Sequence, residues 1–119
     1  MEGHEGTLCK LSIADDAYFE ALLACDSVNL EASGLDAKTH ALVRLGGLVA
    51  IDGAAPCYLG AIGVARAHGA SDEEIVGCLI AMIPTLGIAR VVSAAPQLGL
   101  ALGFDVAVAL EAAQVVELS

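Results

Sequence analysis

Cys57 follows Pro56 directly, at what reads as the opening turn of a helix. Free N–H groups and the positive dipole end favour a thiolate there. Such a sulfur can attack an electrophile or move a proton. The plain alternative is a small apolar residue filling a helix entrance. His40 and Arg44 form a second constellation. They stand four residues apart, so they share a helix face. Arg44 suits a substrate carboxylate, and His40 suits proton transfer. A solvated pair, or a salt bridge between subunits, explains them equally simply. Arg90 is the third candidate. It is the only charge between Ile75 and Phe104. A guanidinium in so apolar a stretch predicts an anion beside it. That anion is either a ligand or a protein carboxylate, with Asp52 and Glu74 as partners by type. His68 reads as a C-terminal helix cap, Asp52 as a turn residue, and Tyr18 and Tyr58 as packing residues with a polar tip. The sequence has no glycine-rich phosphate loop, no Ser-His-Asp order and no metal-spaced ligand cluster. The expectation is chemistry without a metal or other cofactor.

Composition narrows the partners. The chain has 119 residues, 57% of them hydrophobic, with a mean hydropathy of +0.75. One domain over 1–119 fits that length. Aromatics are only 3%, so Ala, Leu, Val and Ile must build the core. So much apolar surface in a short chain predicts a homo-oligomer. The net charge of −10, with five Lys and Arg, argues against nucleic acid and against anionic membranes. The four cysteines, Cys9, Cys25, Cys57 and Cys78, form no C-x-x-C pair. The acidic start Met1-Glu2-Gly3-His4-Glu5 is unlike a signal peptide. Together these suggest a reducing cytoplasm. Pro84, Gly87, Pro96 and Gly99 interrupt the long apolar run, which favours buried helices over a membrane span.

Six helices are expected to position these residues. Residues 1–11 lack a period and read as a loose arm. A first helix is expected from Ala14 to about Asp26, and a second from an Asp36 cap to about Ile51. In the second, Leu42, Leu45, Leu48 and Val49 form the apolar side, and Gly46-Gly47 permits a close crossing. Pro56 opens a third helix that Gly69 ends. Ser71-Asp72-Glu73-Glu74 reads as a capping box opening a fourth, which Pro84 ends or kinks. A fifth stretch runs from about Thr85 to Leu102, bent or broken near Pro96. Gly103 stops it, and Asp105 caps a last helix to about Val116. No segment alternates as a strand does.

The run from Leu35-Asp36-Ala37-Lys38-Thr39 through Gly69-Ala70-Ser71-Asp72-Glu73-Glu74-Ile75 resembles the carboxymuconolactone decarboxylase family, which shares its fold with alkylhydroperoxidase D-like proteins. Ala89-Arg90-Val91-Val92-Ser93-Ala94-Ala95-Pro96 also matches short members. The likeness spans about 35–102. It implies an all-α, alkylhydroperoxidase D-like bundle assembled as a homotrimer or homohexamer. The redox branch carries Cys-x-x-Cys-x-x-x-His with a Glu one helix earlier. Alignment places these on Ala54, Cys57, Ala61 and Leu42, so only the second cysteine remains. The decarboxylase branch removes carbon dioxide from a γ-carboxymuconolactone without a metal. It has a histidine near the start of the third helix, and this chain has none there. The resemblance implies a cofactor-free lyase for a small carboxylated lactone or aromatic-derived substrate. Arg44 or Arg90 would hold the carboxylate, and Cys57 or His40 would move a proton. The alternatives are a thiol antioxidant using Cys57 and a non-catalytic binding or scaffold oligomer.

Overall fold

The computed structural model describes residues 3–118, with side chains through 114. Among the described residues the regular structure is entirely helical. In chain order the elements are α1 (Gly3–Ser12), α2 (Asp16–Ala24), α3 (Asp26–Ser33), α4 (Ala37–Ala50), α5 (Ala55–Ala67), α6 (Asp72–Leu86), α7 (Ile88–Leu102) and α8 (Val106–Leu118). The all-α expectation holds, with eight helices in place of about six. The chain divides into two compact units, one reaching Ala37 and the other beginning at Lys38.

The first unit accounts for the extra helices. Of the arm expected over 1–11, residues 1–2 lie outside the described residues and the rest belongs to α1, although none of that helix's side chains is buried. Local interactions hold it: Thr7 Oγ1 donates to Gly3 O at 3.1 Å, with Glu5 in the first turn and Lys10 in the last. Those charges complement the helix dipole. The single helix expected from Ala14 to Asp26 is two. Asp15 caps α2 by accepting the Tyr18 N–H at 3.0 Å. Cys25 then turns extended, at φ −161°, and opens α3. Asn29 Nδ2 secures the corner by donating to Leu22 O at 3.5 Å. Tyr18 and Phe19 meet edge to face at 6.5 Å, and Lys10 Nζ lies 5.2 Å from the Tyr18 ring centre.

The second unit holds every candidate residue named from the sequence. α7 is its hub, packing against α5, α6 and α8. The core is built from Leu45 and Val49 of α4, Tyr58 and Ile62 of α5, Ile75 and Leu79 of α6, and Ala94 and Leu98 of α7. Each fully buried Leu or Ile contributes about 1.5–3 kcal/mol. α4 approaches α6 at two points. A Cβ built on Gly46 would lie 3.4 Å from Met82 Sδ, and Lys38 Nζ is 2.8 Å from Glu74 Oε2. Gly47, by contrast, is exposed and has nothing within 4 Å of such an atom. The close crossing therefore belongs to Gly46 alone.

The capping box is present. Ser71 Oγ accepts the Glu74 N–H at 3.1 Å, and Glu74 Oε1 accepts the Ser71 N–H at 3.0 Å. Asp105 likewise accepts the Val108 N–H at 3.1 Å and opens α8. The two prolines expected to end or bend helices lie inside them, Pro84 within α6 and Pro96 within α7. Each removes one backbone bond and crowds the preceding turn. Leu86 and Leu98 pack beyond them against the core, and this burial carries the helices through. Among the described residues no single helix is long and apolar enough to cross a membrane; α7 and Val106–Gln114 pass that test only together, and they meet at 103°.

Candidate functional site

The end of α4 forms the corner of the site. Gly53 N–H bonds to Leu48 O at 2.9 Å and Asp52 N–H to Val49 O at 3.2 Å, a Schellman closure. The residue at its left-handed position is Asp52, at φ +55°. The same closure ends α5 and α7, where Gly69 and Gly103 hold that position. A left-handed conformation costs an L-residue about 1–2 kcal/mol, less for Asp, whose short side chain bonds locally. At the end of α4 the side chain makes use of it. Asp52 Oδ1 accepts a hydrogen bond from Ser93 Oγ at 3.1 Å, and Asp52 Oδ2 lies 4.0 Å from Arg90 Nη1. Ser93 and Arg90 are three residues apart on α7, hence on one face.

Arg90 thus has a protein carboxylate beside it, and of the two acidic residues named by type the partner is Asp52. Glu74 is engaged by Lys38 instead. The hydrogen bond from Lys38 is the first cause that holds the Glu74 carboxyl below its usual range; the Ser71 N–H adds to it. The apolar stretch around Arg90 does not bury it: its side chain is 48% exposed and that of Asp52 45%. α7 turns this residue to solvent, so its charge carries little desolvation cost.

Tyr58 lies one residue after Cys57 and is completely buried at 0% exposure. Among the described residues its hydroxyl has no hydrogen-bond partner. Burial pushes the phenol up from its ordinary value, and the negative charge of Asp52 pushes it further. It remains a neutral O–H donor at every physiological pH.

Cys57 is exposed in the first turn of α5, with its N–H bonded to Ala54 O at 2.9 Å. None of the four cysteines is in a disulfide. His40 is buried at 8% exposure, whereas Arg44, one turn along α4, is exposed. The two lie along one side of the helix, but at different depths. The structure brings Arg90 together with Asp52 and Ser93. Ser93 was not a candidate from the sequence, and Asp52 was named there only as a turn residue and as one of two partners of Arg90 by type. The signals were an Asp-Gly pair after an apolar helix and a serine three residues beyond a lone arginine. Among the described residues no group of three or more His, Cys, Asp or Glu side chains is arranged to hold a metal.

The cluster can do one thing chemically: a guanidinium and a hydroxyl on one helix face can hold a carboxylate at two points.

No curated protein matches the chain, and no solved structure matches it either. The profile of the carboxymuconolactone decarboxylase family matches residues 16–98, well over half of the sequence. Together with the all-helical second unit and the capped α5–α6 corner, that match establishes that the chain belongs to the carboxymuconolactone decarboxylase family.

Proposed function

We propose that the protein is a cofactor-free lyase that decarboxylates a small carboxylated substrate, a lactone or an aromatic-derived acid. The observation that carries this reading is the carboxylate already held by Arg90 and Ser93 on α7. It sits at the corner from which α5 starts, and Cys57 is five residues beyond Asp52 in sequence. In the reaction the bond between the ring carbon and the carboxylate breaks. Carbon dioxide leaves, and the electron pair spreads into the lactone carbonyl as an enolate. A proton then returns to carbon. Arg90 would position the carboxylate, since holding a leaving group still lowers the entropic part of the barrier. Arg44, exposed on α4, is the second cation available. Cys57 is the better proton carrier of the two candidates because its thiol is exposed, while His40 is buried.

A peroxidase cycle finds little support. Ala54 and Ala61 occupy the aligned positions of the resolving cysteine and the histidine, and a lone thiol cannot close the family's disulfide. The protein is expected to act as a homo-oligomer, a trimer or hexamer.

The test is carbon dioxide release from γ-carboxymuconolactone and related carboxylated lactones. Turnover by the intact protein, reduced at least tenfold in Arg90→Ala and in Cys57→Ser, is the expected result. Release no faster than the uncatalysed rate across such substrates would overturn the proposal. Arg90→Ala should leave the fold nearly untouched, because an exposed ion pair is worth about 0–1 kcal/mol.

A further inference from the structure

We infer that Arg90 and Ser93 form a carboxylate-recognition site that Asp52 occupies from within the chain, so that a ligand carboxylate enters by displacing Asp52. The inference rests on the reading of Arg90 as a carboxylate holder and assigns two residues to it, Ser93 as a second donor and Asp52 as an internal competitor.

Three observations carry it. The first is the geometry of occupancy. Ser93 Oγ makes a direct bond to Asp52 at 3.1 Å, but Arg90 Nη1 stands at 4.0 Å, beyond hydrogen-bond length. A guanidinium offers five donors in a planar fork matched to a carboxylate. Asp52 draws on its charge and not on that fork. A free carboxylate, with no backbone tether, can settle into the fork and still accept from Ser93.

The second observation is access. Both Arg90 and Asp52 are nearly half exposed, so an anion reaches the guanidinium without unfolding anything. The third is the tether. Asp52 stands left-handed at a closure of the kind that Gly69 and Gly103 make at the ends of α5 and α7. The turn does not need a carboxylate, and glycine would satisfy it with less strain. The side chain is thus free to leave Arg90 without cost to the end of α4.

An internal competitor lowers apparent affinity by the fraction of time it holds the site, and removing it restores that fraction. The probe is sodium benzoate, titrated by calorimetry into the intact protein, Asp52→Asn, Asp52→Gly, Arg90→Ala, Arg44→Ala and the double variant Asp52→Gly/Arg90→Ala. Asp52→Asn and Asp52→Gly are each expected to tighten benzoate binding by roughly 3- to 10-fold, and Arg90→Ala should abolish that gain. Asp52→Gly guards against a folding artefact, since it suits the turn. Unchanged or weaker binding in both Asp52 variants overturns the inference, as does a gain that survives loss of Arg90. If benzoate binding depends on Arg44 and ignores Asp52 and Arg90, the inference falls while a carboxylate-binding lyase still stands. If benzoate fails to bind any variant, Asp52→Gly included, both fall.

Discussion

At the scale of single residues, the informative groups are those whose surroundings disagree with their chemistry. Tyr58 is wholly buried, yet its hydroxyl has no partner among the described residues. An unpaired buried hydroxyl carries its desolvation penalty uncompensated. Tyr58→Phe is therefore expected to stabilise the protein by about 1 kcal/mol in urea titrations. A loss of stability of that size would mean the hydroxyl is satisfied after all. The pH dependence follows from the same burial. The phenol is raised in the folded chain, first by desolvation and then by Asp52. Its neutral form is thus favoured by folding, and the contribution is complete below the unfolded value of about 10. It is lost as pH climbs through the folded value. Tyr58→Phe should flatten that alkaline loss. The thiols differ for equally local reasons. The Ser27 hydroxyl, followed by the Val28 N–H, lowers Cys25, while burial and then Glu74 raise Cys78. Iodoacetamide at neutral pH is expected to label Cys25 well before Cys78, read by peptide mass spectrometry. The reverse order would show that the Cys25–Ser27 contact at 3.3 Å does not persist in solution.

At the scale of elements, caps and the glycine stops at Gly69 and Gly103 were legible in the sequence, and the break at Cys25 was not. The Ser71–Glu74 box and the Asp105 cap depend on residues three apart, so their type and spacing suffice. The apolar side of α4 could be read for the same reason: Leu45 and Val49 are buried and Leu42 and Leu48 pack beside them. α1 was hidden because it buries nothing and so has no period to detect. The break at Cys25 was hidden because Tyr18, Leu22 and Cys25 repeat like one continuous helix. The prolines misled in the other direction, since packing of Leu86 and Leu98 outweighs a lost backbone bond. The site divides similarly. Arg90 stood out by its isolation, but Asp52 and Ser93 meet only across 41 residues of chain, a distance no local pattern encodes. Glycines give the sharpest test of element packing. A Cβ on Gly99 would lie 2.9 Å from Phe104 O and 3.0 Å from Val106 Cγ2, where α7 turns into α8. Backbone cannot step aside as a flexible side chain can, so Gly99→Ala should cost about 1–3 kcal/mol. Gly47 is exposed with open space around it, and Gly47→Ala should instead add about 0.5–1 kcal/mol of helix stability. Thermal melts of the two variants should move in opposite directions.

At the scale of the whole molecule, the second unit leaves much apolar surface in water. On α4 and in the turn just past its end, Val43, Gly47 and Ile51 are spaced four residues apart, and all three are exposed. On α7, Ile88, Val92, Pro96 and Leu100 repeat every four residues and are exposed throughout. These are stripes, not scattered side chains, because residues four apart share a helix face. The core gains little from aromatics, which are only 3% of the chain, so burial elsewhere has to supply stability. Apolar area removed from water yields about 25 cal/mol per Å², and a stripe of four large residues meeting its like supplies several kcal/mol. The net charge of −10 opposes association at long range, but salt screens it beyond about 8–10 Å and the apolar contact remains. Self-association should therefore strengthen as ionic strength rises. We propose that the α7 stripe lies in the interface. Light scattering is expected to give a mass of three or six subunits, and Val92→Glu should lower it while leaving the helical circular dichroism of the subunit in place. A charge at that position would have to be buried unpaired in the assembly, at a cost of several kcal/mol, yet it is freely solvated on a monomer. A particle of 12.0 kDa for the intact protein at high salt, unaltered by Val92→Glu, would overturn the proposal and leave the stripe as surface that the fold tolerates.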